Sequence, residues 1–376
     1  MSKIKITIVT ATRADYGKLK SIIIKLQKDN SFDTEIFVTG MHNLNLYGKT
    51  IGEIKKDKIK KLYIFNNQRK NSSMNDILIN TIKGFTNYIE KKKPDFILIH
   101  GDRIEPLACS LSAILKNIKI VHVEGGEVSG TVDEMLRHSI SKLSHHHLVS
   151  NLSAKKRLIQ MGEKKNSISI VGSPDVDLVL SKNLPSKQFV LRRYGVKFSN
   201  YAISILHPVT TNINNVERET DIYFESLIES KKNFIIILPN NDLGSNFIFD
   251  KIKLLKKRKN IKIIPSLRFE YFLTLLKNSS LMIGNSSSGI MEAPYYGIPT
   301  INIGNRQKNR LNAESIKNIE FKKKKIISFI NRFYGKKFHR KKYFGSGNTD
   351  NKVIKVLKSK SFLNSNLQKN FIDILN

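Results

Sequence analysis

The stretch Phe96-Ile97-Leu98-Ile99-His100-Gly101-Asp102-Arg103 decides the fold, together with its echo Ile118-Lys119-Ile120-Val121-His122-Val123-Glu124-Gly125-Gly126-Glu127. Each opens as a short run of mostly branched apolar side chains, which is how a strand buried in a parallel sheet reads. Each breaks at an acid and glycine. The interval between them has room for a crossover helix, which a parallel pair requires.

The rhythm continues on both sides. In the first half, strands are expected at Lys5–Thr10, Glu35–Thr39, Leu62–Phe65, Phe96–His100, Ile118–Val123, His147–Val149 and Ser169–Val171. Amphipathic helices are expected between them, including Lys18–Gln27, with Leu19, Ile22, Ile23 and Leu26 on one stripe, and Met74–Lys91. Around Ser181–Ser199 the pattern breaks, with Pro185 among mixed polar residues, and this marks a connection. The pattern restarts at Tyr201–Leu206, Phe234–Leu238, Lys262–Ile264, Leu281–Ile283 and Thr300–Ile303. Past Lys342, Tyr343-Phe344-Gly345-Ser346-Gly347-Asn348 reads as a glycine-rich loop and Asn351–Asn376 as partly helical. The expected fold class is α/β, with two Rossmann-like doubly wound domains, 1–180 and 181–376, an interdomain cleft, and a C-terminal tail that packs back on the first domain. A chain of 376 residues exceeds what one core usually serves.

Composition narrows the function classes. The formal charge of +34 suits nucleic acid, anionic membrane or phosphorylated ligands alike. The lysines, however, are scattered along Lys55–Lys61, Lys91–Lys93, Lys251–Arg258, Lys322–Lys325 and Lys336–Lys342, as solvated faces between apolar segments are. Neither a recognition-helix motif nor aromatic platforms accompany them, so no nucleic-acid partner is expected. A single cysteine, Cys109, excludes a disulfide framework and multi-thiolate metal sites and fits a reducing cytoplasm. The N-terminal apolar run is too short for a signal peptide, and no run suits a membrane span.

In an open parallel sheet the ligand lies outside the carboxyl ends of the strands, and this rule selects the candidates. Arg13, in Thr12-Arg13-Ala14-Asp15-Tyr16-Gly17-Lys18, follows the first strand and suits a phosphate; alternatively Asp15 caps the helix with Arg13 as its partner. No Gly-x-Gly-x-x-Gly comes after it, which disfavours a nicotinamide or flavin dinucleotide. Asp102 and Glu124 reach one rim from neighbouring strand tips. Beyond Thr131 a helix should carry Asp133, Glu134, Arg137 and His138 on its first turns. Asp133 and Arg137 are spaced to pair on its surface, which leaves Glu134 freer to face the ligand. His145-His146-His147 invites a metal, but neighbouring side chains on a strand point to opposite faces and cannot converge on one ion. In the second half, His207 stands at the rim as a proton donor or acceptor, and Pro239-Asn240-Asn241-Asp242 is a polar turn able to touch a ligand. Gly284-Asn285-Ser286-Ser287-Ser288-Gly289 followed by Glu292 suits a nucleotide diphosphate, with N–H groups for phosphate and an acid for ribose. Gly304-Asn305-Arg306 adds a cation.

In order and spacing these motifs resemble the hydrolysing UDP-N-acetylglucosamine 2-epimerases of bacterial sialic acid synthesis. The resemblance covers essentially the whole chain. It is carried by Thr12–Leu19, His100–Arg103, Val123–Thr131, Arg137–Leu143, Gly284–Ser287 and Gly304–Gln307. It implies a GT-B-like pair of domains, UDP held mainly by the second, no metal or organic cofactor, and a homodimer or dimer of dimers. The implied reaction splits UDP-N-acetylglucosamine with water into N-acetylmannosamine and UDP, by elimination to a 2-acetamidoglucal and hydration with inversion at C2. It implies catalytic roles for Asp102, Glu124, Asp133, Glu134 and His207, and UDP contacts from Arg13, Arg103, Asn240, Ser286, Ser287, Glu292 and Arg306. Gly17 stands where animal relatives of that family carry a serine that touches the nucleotide, so no such contact is assigned to it. The rival readings are a sister enzyme acting on a UDP-2,4-diacetamido-2,4,6-trideoxyhexose, a non-hydrolysing epimerase and a GT-B glycosyltransferase.

Overall fold

The computed structural model describes residues 3–44, 50–69, 72–240 and 242–373. Two compact units emerge. The first takes Met1–Glu127, Asp133–Leu180 and the segment from Phe344 onward; the second takes Val128–Val132 and Ser181–Tyr343.

The first unit is built on a seven-stranded sheet: β1 (Ile4–Thr10), β2 (Phe32–Val38), β3 (Leu62–Ile64), β4 (Phe96–His100), β5 (Lys119–Val123), β6 (His146–Val149) and β7 (Ile168–Ile170). Their order is β3-β2-β1-β4-β5-β6-β7, with every pairing parallel. Helices cover both faces. On one, Leu19, Ile22, Ile23 and Leu26 pack with Val353 and Leu357 of the C-terminal segment; on the other, Phe85, Tyr88, Cys109 and Ile140 pack under β4 and β5. Burying each large side chain stabilises the unit by about 1.5–3 kcal/mol, which is why the apolar stripe of Arg13–Lys28 sits where it does.

That helix starts five residues earlier than its apolar stripe predicts. Thr12 is the N-cap and Asp15 closes a capping box with it, so Arg13 is the first helical residue. The cap is therefore Thr12 and not Asp15. The helix Met74–Lys92 begins with an equivalent box from Ser73 and Asp76.

The second unit carries six parallel strands: β8 (Ala202–Ile205), β9 (Phe234–Ile237), β10 (Ile261–Ile264), β11 (Leu281–Gly284), β12 (Thr300–Ile303) and β13 (Ile316–Ile319), in the order β10-β9-β8-β11-β12-β13. Its core joins Phe224, Leu227, Phe234, Ile283, Ile301 and Ile330. Strand β13 goes undetected in the amino-acid pattern because its centre is Lys317-Asn318, polar residues that an edge strand tolerates. The segment around Glu292 forms two short helices, Ser288–Met291 and Ala293–Tyr296, with Glu292 at the joint and Pro294 in the first turn of the second. No described helix is long and apolar enough to cross a membrane.

Candidate active site

At the carboxyl end of the first sheet, two carboxylates stand on adjacent strands, each held by a buried cation. Asp102 follows β4. Its Oδ2 accepts from Nη2 of Arg137, whose Nη1 donates to the carbonyl of Glu127 at 3.1 Å. Arg137 is only 2% exposed. It is thus not a surface partner for Asp133, as spacing suggested, but a core guanidinium aimed at the β4 tip. Burial opposes its charge, while Asp102, Glu127 and Asp133 outweigh that and raise its pKa. The same helix, Val132–Leu143, steadies the Asp102 turn by a second route: Ser141 Oγ meets His122 Nδ1 at 3.1 Å, and His122 Nε2 meets the carbonyl of Gly101 at 2.8 Å. Burial pushes His122 down to about 3, so it is a neutral spacer.

Glu124 follows β5 in the left-handed region, with φ of 65°, a conformation that non-glycine residues hold only where surroundings impose it. Those surroundings are visible. Its N–H donates to Leu148 O at 3.0 Å, one carboxylate oxygen accepts from Ser173 Oγ, and the other lies 3.1 Å from His100 Nε2 and 3.7 Å from Lys18 Nζ. Lys18 also faces Asp175 at 3.5 Å. Burial by itself would raise the Glu124 pKa, yet Lys18, His100 and Ser173 together hold it well below the usual carboxylate range. Glu124 is an anion at neutral pH. Ser173 is in turn fixed by the glycine-rich loop, since its N–H donates to Phe344 O at 2.7 Å.

Asp133 and Glu134 occupy the first turn of the Val132–Leu143 helix, both half-buried, with Glu134 3.6 Å from His138. Arg13 is half-buried at the start of its helix. Asp15 accepts from the N–H groups of Ala11 and Thr12 at 2.9 and 3.0 Å and so shapes the β1 turn. Arg103 precedes the helix Ile104–Leu115, its Nε 3.6 Å from the buried Glu105. The three histidines diverge: His145 accepts from Ile120 N, His146 meets Ser169, and His147 meets Glu163. Among the described residues no acid, histidine and cysteine cluster is arranged to hold a metal.

In the second unit the organising residue is Asn285, fully buried after β11. Its Oδ1 accepts from His207 N at 2.7 Å and its Nδ2 donates to His207 O at 2.8 Å, clamping the β8 tip from both sides. The Asn240 N–H donates to His207 Nδ1 at 3.3 Å, which puts the ring proton on Nε2 and makes that edge a donor for an anion. Arg306 Nη1 and Gln307 Nε2 both donate to Asn285 O, at 3.2 and 3.3 Å. One clamp therefore ties together His207, Asn240 and Arg306. Asn285→Ala would strand two buried backbone groups, and about 2–4 kcal/mol of the second unit's stability is expected to go with it, seen as an earlier urea transition. Ser286 and Ser287 lie half-buried on the adjoining turn, where Ser286 Oγ accepts from Ser288 N at 3.3 Å. Glu292 is buried beyond them. Asn241, in the polar turn, lies outside the described residues.

Gly130 also belongs to this unit. Its N–H donates to Arg306 O at 2.8 Å, and a Cβ there would strike the Asn305 carbonyl, so only glycine allows the two backbones to meet. The residues that sequence reasoning left out of the site are Arg137, Lys18, His100, Ser173 and Asn285. Lys18 carried a signal, since it lies beside Leu19 on a stripe that faces the sheet; Ser173 and Asn285 act through backbone geometry that no spacing displays.

The model of the UDP-N-acetylglucosamine 2-epimerase family matches residues 24–358. A UDP-N-acetylglucosamine 2-epimerase from Neisseria meningitidis serogroup B is 41% identical, across 98% of this chain and 99% of its own. A UDP-N,N'-diacetylbacillosamine 2-epimerase (hydrolyzing) from Legionella pneumophila is 35% identical, across 94% of this chain and 96% of its own. Among solved structures, the Methanocaldococcus jannaschii UDP-GlcNAc 2-epimerase in complex with UDP-GlcNAc and UDP is 24% identical with a TM-score of 0.80, covering 94% of this chain and 99% of its own, and shares the fold. Matched over most of its length by the family model and end to end by these relatives, the chain belongs to the UDP-N-acetylglucosamine 2-epimerase family.

Proposed function

We propose that the chain hydrolyses UDP-N-acetylglucosamine, releasing UDP and N-acetylmannosamine, the precursor from which sialic acid is built. The observation that carries this is the pair of cation-held carboxylates on adjacent strand tips, Asp102 on Arg137 and Glu124 on Lys18. Such a pair suits chemistry that moves a proton and stabilises positive charge on a sugar. The relative named as hydrolysing supports the water-consuming outcome.

In this reading a first-unit carboxylate removes the C2 proton as the C1–O bond to the diphosphate breaks, giving the 2-acetamidoglucal. Water then adds its oxygen at C1, and a proton returns to C2 from the opposite face. Glu124, already an anion, stabilises the cationic anomeric centre, while Asp102 and the Asp133–Glu134 pair manage the protons. UDP leaves into donors of the second unit: His207 Nε2, the Ser286 and Ser287 turn and Arg306, with Asn240 and Glu292 completing the nucleotide site and Arg13 and Arg103 adding positive charge. The chain works as a homo-oligomer in the cytoplasm on UDP-linked sugar, with no resident cofactor.

The Legionella relative favours one second reading, a 2,4-diacetamido-6-deoxy sugar on the same UDP. Proton NMR of the purified protein in deuterated water separates the cases. The proposed reaction yields free UDP and N-acetylmannosamine carrying deuterium at C2. A product that keeps UDP overturns hydrolysis. Turnover of the diacetamido sugar alone moves the assignment to the second reading.

A further inference from the structure

We propose that Lys369, near the C-terminus, is a positioning residue of the first unit: its ammonium caps the helix Val132–Leu143 and fixes the angle at which Arg137 meets Asp102. This rests on the catalytic reading of Asp102 given above.

The helix is twelve residues long, too short to be rigid by its own hydrogen bonds. Its last carbonyls need partners, and a cation at that end also meets the negative pole of the helix dipole. Lys369 supplies both. Its Nζ donates to Ser144 O at 2.6 Å and Lys142 O at 2.8 Å, approaches Ser141 O at 3.5 Å, and pairs with Glu163 at 2.7 Å. Glu163 in turn meets His147 Nε2 on β6 at 3.0 Å and Lys142 Nζ at 3.0 Å, so the ammonium is anchored to the sheet as well as to the helix.

The backbone that presents Lys369 is itself fixed. His145 Nδ1 accepts from Ile120 N at 3.0 Å, which leaves the ring proton on Nε2 to donate to Leu367 O at 3.0 Å. The chain is thus pinned two residues before the ammonium. Farther back, Lys119 Nζ donates to Phe362 O at 2.9 Å, a tie that holds the tail without touching the helix. The contacts of Lys369 fall at Ser141, Lys142 and Ser144, close along the helix to Arg137, and Ser141 carries the second link through His122 to Gly101. A shift of the helix end therefore reaches the Asp102 turn by both routes.

The experiment uses the full-length chain as wild type, Lys369→Met, Lys369→Arg and Lys119→Met, with two readouts: amide hydrogen exchange over residues 137–144 and steady-state release of UDP from UDP-N-acetylglucosamine. Lys369→Met is expected to speed exchange in that helix roughly tenfold and to lower kcat roughly tenfold, with KM unchanged. Lys369→Arg should recover most of both. Lys119→Met should loosen residues 362–363 and leave kcat unchanged. Unaltered helix exchange in Lys369→Met, or an equal loss of kcat in Lys119→Met, overturns the proposal. Should the wild type release no UDP, the catalytic reading falls alone and the exchange data still decide whether Lys369 fixes the helix.

Discussion

Asp102→Asn is expected to lower turnover of UDP-N-acetylglucosamine at least roughly a hundredfold, with UDP affinity unchanged. Asparagine keeps the size of the side chain and an oxygen for Arg137, but it neither takes a proton nor carries charge. The nucleotide donors proposed above belong to the second unit, so UDP titration by calorimetry should read as in the wild type. Stability should change too, because Arg137 is buried and loses its counter-charge; with Asp102 28% exposed, about 1–3 kcal/mol is expected. These two losses have separate origins and come apart in a second variant. Adding Arg137→Met removes the stranded cation, so the double variant should regain stability in urea and stay inactive. Substantial turnover in Asp102→Asn removes this carboxylate from the chemistry.

The features legible in the amino-acid sequence and those hidden from it divide along a physical line. Strands β4 and β12 fall where their apolar runs say, because a buried parallel strand declares itself by uninterrupted branched side chains. The same runs place the acids Asp102 and Glu124, since each follows within two residues of the end of its strand. Arg137 was misread because its i,i+4 spacing from Asp133 is a local pattern, whereas its burial depends on how the helix seats on β4 and β5. Asn285 reads in the sequence only as part of a turn; its amide clamps His207 because the parallel pairing of β11 with β8 brings Gly284 beside Ile205. Helix starts failed where the apolar stripe begins later than the cap, as at Thr12 and Asp15.

Glu124→Gln is expected to cost turnover at least roughly a hundredfold as well, and its pH signature tests why. In the folded chain Glu124 is held ionised, its pKa well below the ordinary 4.5. A carboxyl whose pKa is depressed by folding stabilises the native state at every pH above its unfolded value, and that contribution fades as pH falls from there toward the folded value. Wild type should therefore exceed Glu124→Gln in stability at neutral pH, with the gap shrinking below pH 4.5. Glutamine can still meet Ser173 and His100, so the part of the gap that responds to acid reports the charge facing Lys18. Lys18 keeps Asp175 at 3.5 Å in the variant, which limits the cost and lets the protein fold for the assay. A gap that stays constant from neutral pH into the acid range would mean that folding leaves the carboxyl's pKa where it is in the unfolded chain, and a gap that widens as pH falls toward 4.5 would mean that the native carboxyl is protonated; in that second case Glu124 would be a proton donor, and the stabilisation of the anomeric cation would have to come from Asp102 or the Asp133–Glu134 pair.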